Sequence, residues 1–178
     1  MKVTLKDGSV REYAQPMAVI DIAKDISEGL ARNVCAATVN GEGVDIRTVI
    51  DKDSTLVLHT FDDQEGKAAF WHTTSHILAQ AVKRLFPETK LAIGPSIAEG
   101  FYYDFDRPDS FTADDLTALE AEMKKIVKEN LALERFTLPR DEAIKFMQEK
   151  EEPYKVELIE DLPEDAEISF YRQGEYVD

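Results

Sequence analysis

Apolar and polar positions change their period along the chain, and the changes mark its elements. Val3 and Leu5 alternate with polar neighbours before the Asp7-Gly8 turn, and Val10 and Tyr13 carry the return strand, which predicts a hairpin. After Pro16 the period lengthens: Val19, Ile22, Ala23 and Ile26 share one side of a helix, with Gly29 as its expected stop. Strands are predicted at Ala36 to Val39, Val44 to Ile46 and Thr55 to Leu58, with Asn40-Gly41 as the turn between the first two. The order strand, strand, helix, strand, strand suggests a small β-grasp sheet over residues 1–61. The polar, acidic stretch Phe61-Asp62-Asp63-Gln64-Glu65-Gly66-Lys67 then reads as a domain boundary, with a second unit over 66–178.

That second unit opens on a helix expected from about Ala68 to Phe86 and stopped by Pro87. Phe70, Ile77, Leu78, Ala81, Val82 and Leu85 form its apolar stripe, while His72, His76 and Lys83 fall nearly opposite at about 100° per residue. Phe101-Tyr102-Tyr103-Asp104-Phe105 reads as one aromatic strand, with one tyrosine inward and one outward. Thr112, three residues before Asp115, heads a helix carrying Leu116, Leu119, Met123, Ile126 and Val127. A strand near 131–138 and a shorter helix opened by Pro139 and Asp141 follow. Pro153 is expected to end the helical region, with strands at Tyr154 to Ile159 and Ile168 to Tyr171. The fold class is α+β, the second sheet mostly antiparallel.

Composition narrows the classes. Among 178 residues, 43% are apolar and 32% charged, a globular balance, and no apolar run approaches the roughly 20 residues of a membrane helix. With a single cysteine, no internal disulfide forms, and a cytoplasmic location is the default expectation. The net charge of −15 repels phosphate backbones and argues against tight, sequence-independent nucleic-acid binding.

Chemistry concentrates at His72 and His76, whose spacing of four puts both imidazoles on one helix face. They suit plain surface residues, a metal-free acid/base or orienting pair, or two ligands of a metal whose third ligand is not obvious. Spacing alone favours the first. His59 is expected on the solvent side of its strand and Cys35 as a buried thiol, neither with a functional role.

Taken in order, the β-grasp unit, His-Thr-Thr-Ser-His at 72–76, Ala92-Ile93-Gly94-Pro95, Gly100-Phe101-Tyr102-Tyr103-Asp104, Tyr154-Lys155-Val156 and Glu175-Tyr176-Val177-Asp178 resemble the N-terminal half of bacterial threonyl-tRNA synthetases. The resemblance covers the whole chain. It implies a TGS domain (ubiquitin-like) over 1–61, then an editing domain that hydrolyses serine wrongly esterified to threonine tRNA. By this resemblance His72, Lys155 and Asp178 carry the reaction, while His76, Tyr103, Gly94 and Pro95 line the substrate pocket. The partner is the tRNA acceptor end bearing serine, and no metal or cofactor is expected in this stretch. ATP, magnesium and zinc sites, and the contacts of a homodimer, belong to later parts of the family's chain. The family pattern also has a Cys-x-Gly-Pro-His motif starting two residues beyond Asp178, so editing by this stretch alone is expected to be impaired, and aminoacylation absent. Two other classes remain: a non-catalytic TGS-type module binding protein or RNA, and a His-x-x-x-His metal-binding module.

Overall fold

The computed structural model describes all 178 residues, which divide into two compact units: 1–72 with 96–100, and 73–95 with 101–178.

In the first unit, β1 (Lys2–Leu5), β2 (Val10–Glu12), β4 (Val34–Val39), β5 (Glu42–Val44) and β7 (Ser54–Thr60) form a five-stranded sheet in the order β2-β1-β7-β4-β5. β1 runs parallel to β7, with Val3 opposite Ser54, and the other pairings are antiparallel. Short β3 (Met17–Ala18) and β6 (Val49–Ile50) pair separately. Helix α1 (Val19–Ile26) lays Val19 and Ile22 on the sheet, where they meet Val3, Ala37, Ile50 and Leu56 in a closed apolar core. This is the predicted β-grasp arrangement. Gly29 does not stop the helix; Ser27, in extended conformation, ends α1 and accepts the Leu30 N–H as N-cap of α2 (Glu28–Asn33). A serine cap supplies the stop and the restart together.

His59 also departs from expectation, being buried with Nε2 2.7 Å from Thr38 Oγ1. Its hydrogen bond across β4 and β7 satisfies the ring, which is what admits a polar side chain to that face. Cys35 is half-buried, and burial pushes its thiol pKa up, away from the reactive thiolate. Helix α3 (Gln64–Leu85) starts earlier than predicted, directly after a turn closed by Asp63: its carboxylate accepts the Thr60 N–H at 2.8 Å while its own N–H donates to Thr60 O at 3.0 Å. A Cβ on Gly66 would lie 1.8 Å from Thr60 O, so only glycine permits this tight turn.

The second unit holds α3 from Thr73 onward. Its remaining elements are β8 (Lys90–Leu91), β11 (Phe105–Asp106), α4 (Ala113–Glu129), β12 (Leu133–Leu138), α5 (Arg140–Glu149), α6 (Pro153–Asp161), β13 (Ile168–Gln173) and β14 (Tyr176–Val177). β12, β13 and β14 form an antiparallel sheet with Phe136 opposite Phe170, and β8 pairs with β11. Ala81 and Val82 of α3 pack on Leu119 and Ile126 of α4, while α5 and α6 bury Ala143, Met147 and Ile159 against Ile168 and Phe170.

Thr112 and Asp115 make the predicted capping box, each side chain accepting the other's N–H at 3.1 and 2.9 Å. Two expectations fail here. Tyr154 to Ile159 is helix α6, not strand, with Pro153 opening it at its first turn, where a missing N–H costs nothing. Val156 and Ile159 reach one core at helical spacing, and Glu152, fixed by the Leu91 N–H at 2.8 Å and Lys83 at 2.7 Å, holds the start. The aromatic segment is interrupted rather than continuous: β9 (Ser96–Ile97) and β10 (Gly100–Phe101) precede an irregular stretch before β11.

Candidate functional site

Helix α3 does not bury one stripe. Phe70 and Leu85 of the predicted apolar face are exposed, whereas Ser75, His76 and Gln80 are buried along with Ala79, Ala81 and Val82. The polar face of its second half is covered, and the His76 ring packs edge-on to Tyr171 of β13 and Tyr176 of β14, at 6.3 and 6.0 Å between centroids. His76 therefore does not face bulk water; its ring is buried beneath the two tyrosines. His72 lies in the first unit with an exposed side chain.

Around His76 four more polar side chains converge. Asp178 Oδ1 takes the Lys155 ammonium at 2.5 Å. Its other oxygen, Oδ2, accepts the Tyr103 hydroxyl at 2.7 Å and the Tyr176 hydroxyl at 3.0 Å, with His76 Nε2 3.9 Å away. Lys155 Nζ also donates to the Tyr103 hydroxyl oxygen at 3.1 Å. Each group arrives by a local rule. Lys155 projects from the first turn of α6; Tyr176 and Asp178, two residues apart, share one face of an extended segment, and Asp178 is held there by paired backbone hydrogen bonds with Tyr171 at 2.7 and 3.0 Å. Tyr103 is placed by Gly94: a Cβ there would sit 2.0 Å from the Tyr103 ring, so the missing side chain is the ring's seat. Ser75 Oγ donates to Gly94 O at 2.9 Å, tying this loop to α3. The Tyr103 ring also stacks on Phe105 at 4.7 Å between centroids.

The electrostatics follow from burial around one ion pair. Burial pushes the Asp178 carboxyl up, but the Lys155 ammonium, His76 and the hydrogen bonds from Lys155 and Tyr103 outweigh it and hold the group below the ordinary carboxylate range. Burial and the adjacent Asp178 charge push both Tyr103 and Tyr176 well above the ordinary phenol value, so both remain hydrogen-bond donors. Donor capacity is not exhausted. An ammonium has three donors and the cluster uses two of Lys155's; a carboxylate has about four acceptor positions and the cluster uses three of Asp178's.

Four of the residues singled out from sequence, His76, Tyr103, Lys155 and Asp178, thus meet in one cluster, with Gly94 beneath it. Pro95 makes none of these contacts. Tyr176 was not singled out, although its spacing of two from Asp178 on a strand carried the signal. No three His, Cys, Asp or Glu side chains gather into a metal-ligand set, and no helix is long and apolar enough to cross a membrane.

Residues 1–60 match the TGS domain family. Over all 178 residues the chain is 61% identical to the threonine--tRNA ligase of Acetivibrio thermocellus, 62% to that of a Clostridium botulinum strain and 60% to that of Clostridioides difficile. It spans only 28%, 27% and 28% of those proteins. Along its whole length, then, the chain is similar to a stretch of bacterial threonine--tRNA ligases a little over a quarter as long as those proteins, and its first 60 residues match the TGS domain family.

Proposed function

We propose that this stretch is the proofreading part of a threonine--tRNA ligase, hydrolysing the ester of serine wrongly attached to threonine tRNA. The observation that carries the reading is the pairing, within one buried cluster, of an uncommitted Lys155 donor and an uncommitted Asp178 acceptor position. An α-aminoacyl ester presents the complement: an ammonium for Asp178 and, next to it, a carbonyl oxygen for Lys155. Water attacks that carbonyl, its oxygen gathers negative charge beside the lysine cation, and the C–O bond to the ribose breaks as the ribose oxygen takes a proton. Tyr103 and Tyr176 hold the Asp178 carboxylate in place for the ammonium. His76 borders it, and His72, which the family pattern pairs with His76, is assigned the acid or base role. The need for such a step is physical: serine lacks one methyl of threonine, which gives a synthetic site only about 1–3 kcal/mol of discrimination.

Aminoacylation, with its ATP and metal chemistry, and the contacts of a homodimer are assigned to parts of the ligase beyond this stretch. The test is deacylation by the full-length ligase, with seryl and threonyl esters of the same tRNA compared. The serine ester should be released faster, and His72→Ala should slow that release at least about tenfold with unaltered unfolding. Equal release of both amino acids, or full activity in the variant, would contradict the reading.

A further inference from the structure

Helix α6 carries Lys155, and the residue just before its first turn, Glu152, does not turn its carboxylate onto the helix it opens. No side-chain bond caps α6 there. The carboxylate, on a residue only 5% exposed, is divided between two other elements: Oε2 accepts the Leu91 N–H of β8 at 2.8 Å, and Oε1 takes the Lys83 ammonium of α3 at 2.7 Å. An ammonium has three donors, and the other two of Lys83 go to the Pro87 and Thr89 carbonyls, both at 3.0 Å. With all three donors committed, the pair works as an anchor and not as a substrate contact.

Both ends of the Lys155–Tyr103 contact hang on this carboxylate. On one side, the Glu152 carbonyl accepts the Lys155 N–H at 3.2 Å, so a shift of Glu152 moves Lys155 with it. On the other, Leu91 faces Phe105 in the β8–β11 pair, which continues as Ala92 N–H to Asp104 O at 3.0 Å and Asp104 N–H to Ile93 O at 2.8 Å. The next residues along those two segments are Gly94 and Tyr103. We propose that Glu152 is a positioning residue for proofreading: by tying the start of α6 to β8 it sets Lys155 against Tyr103 and Asp178, and so fixes where the ammonium meets the reacting carbonyl oxygen. The inference rests on the proofreading reading. A displacement of about 1 Å at such a group is enough for a loss of about a hundredfold, which is what a buried anchor prevents.

Removing the carboxylate leaves Lys83 without its anion, so each change at position 152 is made together with Lys83→Met in the full-length ligase, and single-turnover release of serine from threonine tRNA is compared. Lys83→Met with Glu152→Gln keeps an acceptor for the Leu91 N–H and should release serine within about threefold of the parent enzyme. Lys83→Met with Glu152→Ala loses that bond and should be at least about tenfold slower at saturating enzyme, with binding of the seryl ester and aminoacylation unchanged. Added to Lys155→Met, the same pair of changes should cost no more than about a further twofold, because a residue that acts through the lysine then has nothing to position. Equal rates for the Gln and Ala forms, losses that multiply with that of Lys155→Met, or a parallel fall in aminoacylation would each overturn the inference and leave the proofreading reading standing. If the parent enzyme does not prefer the serine ester, or Lys155→Met alone is harmless, the proofreading reading itself fails and this inference falls with it.

Discussion

Gly94 has no space for a side chain, because the Tyr103 ring occupies the position its Cβ would take. Gly94→Ala should therefore displace Tyr103 from Asp178 and cost about 3 kcal/mol in denaturant unfolding, at the upper end of overpacking penalties, whereas Gly43→Ala, with nothing within 4 Å, should cost far less. Tyr176→Phe removes one of two hydroxyls on Asp178 Oδ2 and should cost about 1–2 kcal/mol, as for hydrogen bonds to a charged acceptor. At this scale the sequence is legible where the residues form family motifs: His76, Tyr103, Lys155 and Asp178 come from that resemblance, and they meet in one cluster. The covering of His76 was not legible. A period of 3.6 shows which side of a helix is apolar, but not that a tyrosine-bearing strand will close over the polar side.

Local chemistry decides the elements more than period does. The Thr112–Asp115 capping box was readable because both partners lie within one turn, and Thr112→Ala should destabilise the second unit by about 1 kcal/mol, measured by chemical unfolding. The α6 segment reads as a strand in sequence because Tyr154, Val156 and Leu158 alternate with charged Lys155 and Glu157. Its true start depends on Glu152 meeting Leu91 and Lys83, partners 61 and 69 positions earlier in the chain that no local window contains. Lys83→Met alone leaves a buried carboxylate without its cation and should cost about 2 kcal/mol, part of which Glu152→Gln should restore in the double variant. Additive losses from the two changes would show that the pair is not coupled.

For the molecule as a whole, the buried cluster makes stability depend on pH at both ends. Asp178 is held below its ordinary value, so its contribution is complete above about pH 4 and is lost as pH falls through the folded-state value. Tyr103 and Tyr176 are raised, so their contribution is complete below about pH 10 and is lost as pH rises beyond it, where the unfolded chain ionises first. Unfolding followed by circular dichroism should show both arms. Tyr103→Phe and Tyr176→Phe should flatten the alkaline one, and Asp178→Asn should reduce the acid one, to which Glu122 and Glu129, also lowered by their cationic partners, still contribute. The β-grasp sheet is legible because its strands alternate cleanly and its turns carry Asp7-Gly8 and Asn40-Gly41; the net charge of −15 describes the surface and says nothing of the partly buried Lys155 cation in the cluster. The most direct measurement is single-turnover deacylation of seryl-tRNA for threonine by full-length ligase carrying Lys155→Met, alongside its aminoacylation rate. Deacylation should fall at least about a hundredfold while aminoacylation is unchanged; deacylation within twofold of the parent enzyme would show that Lys155 does not stabilise the reacting carbonyl.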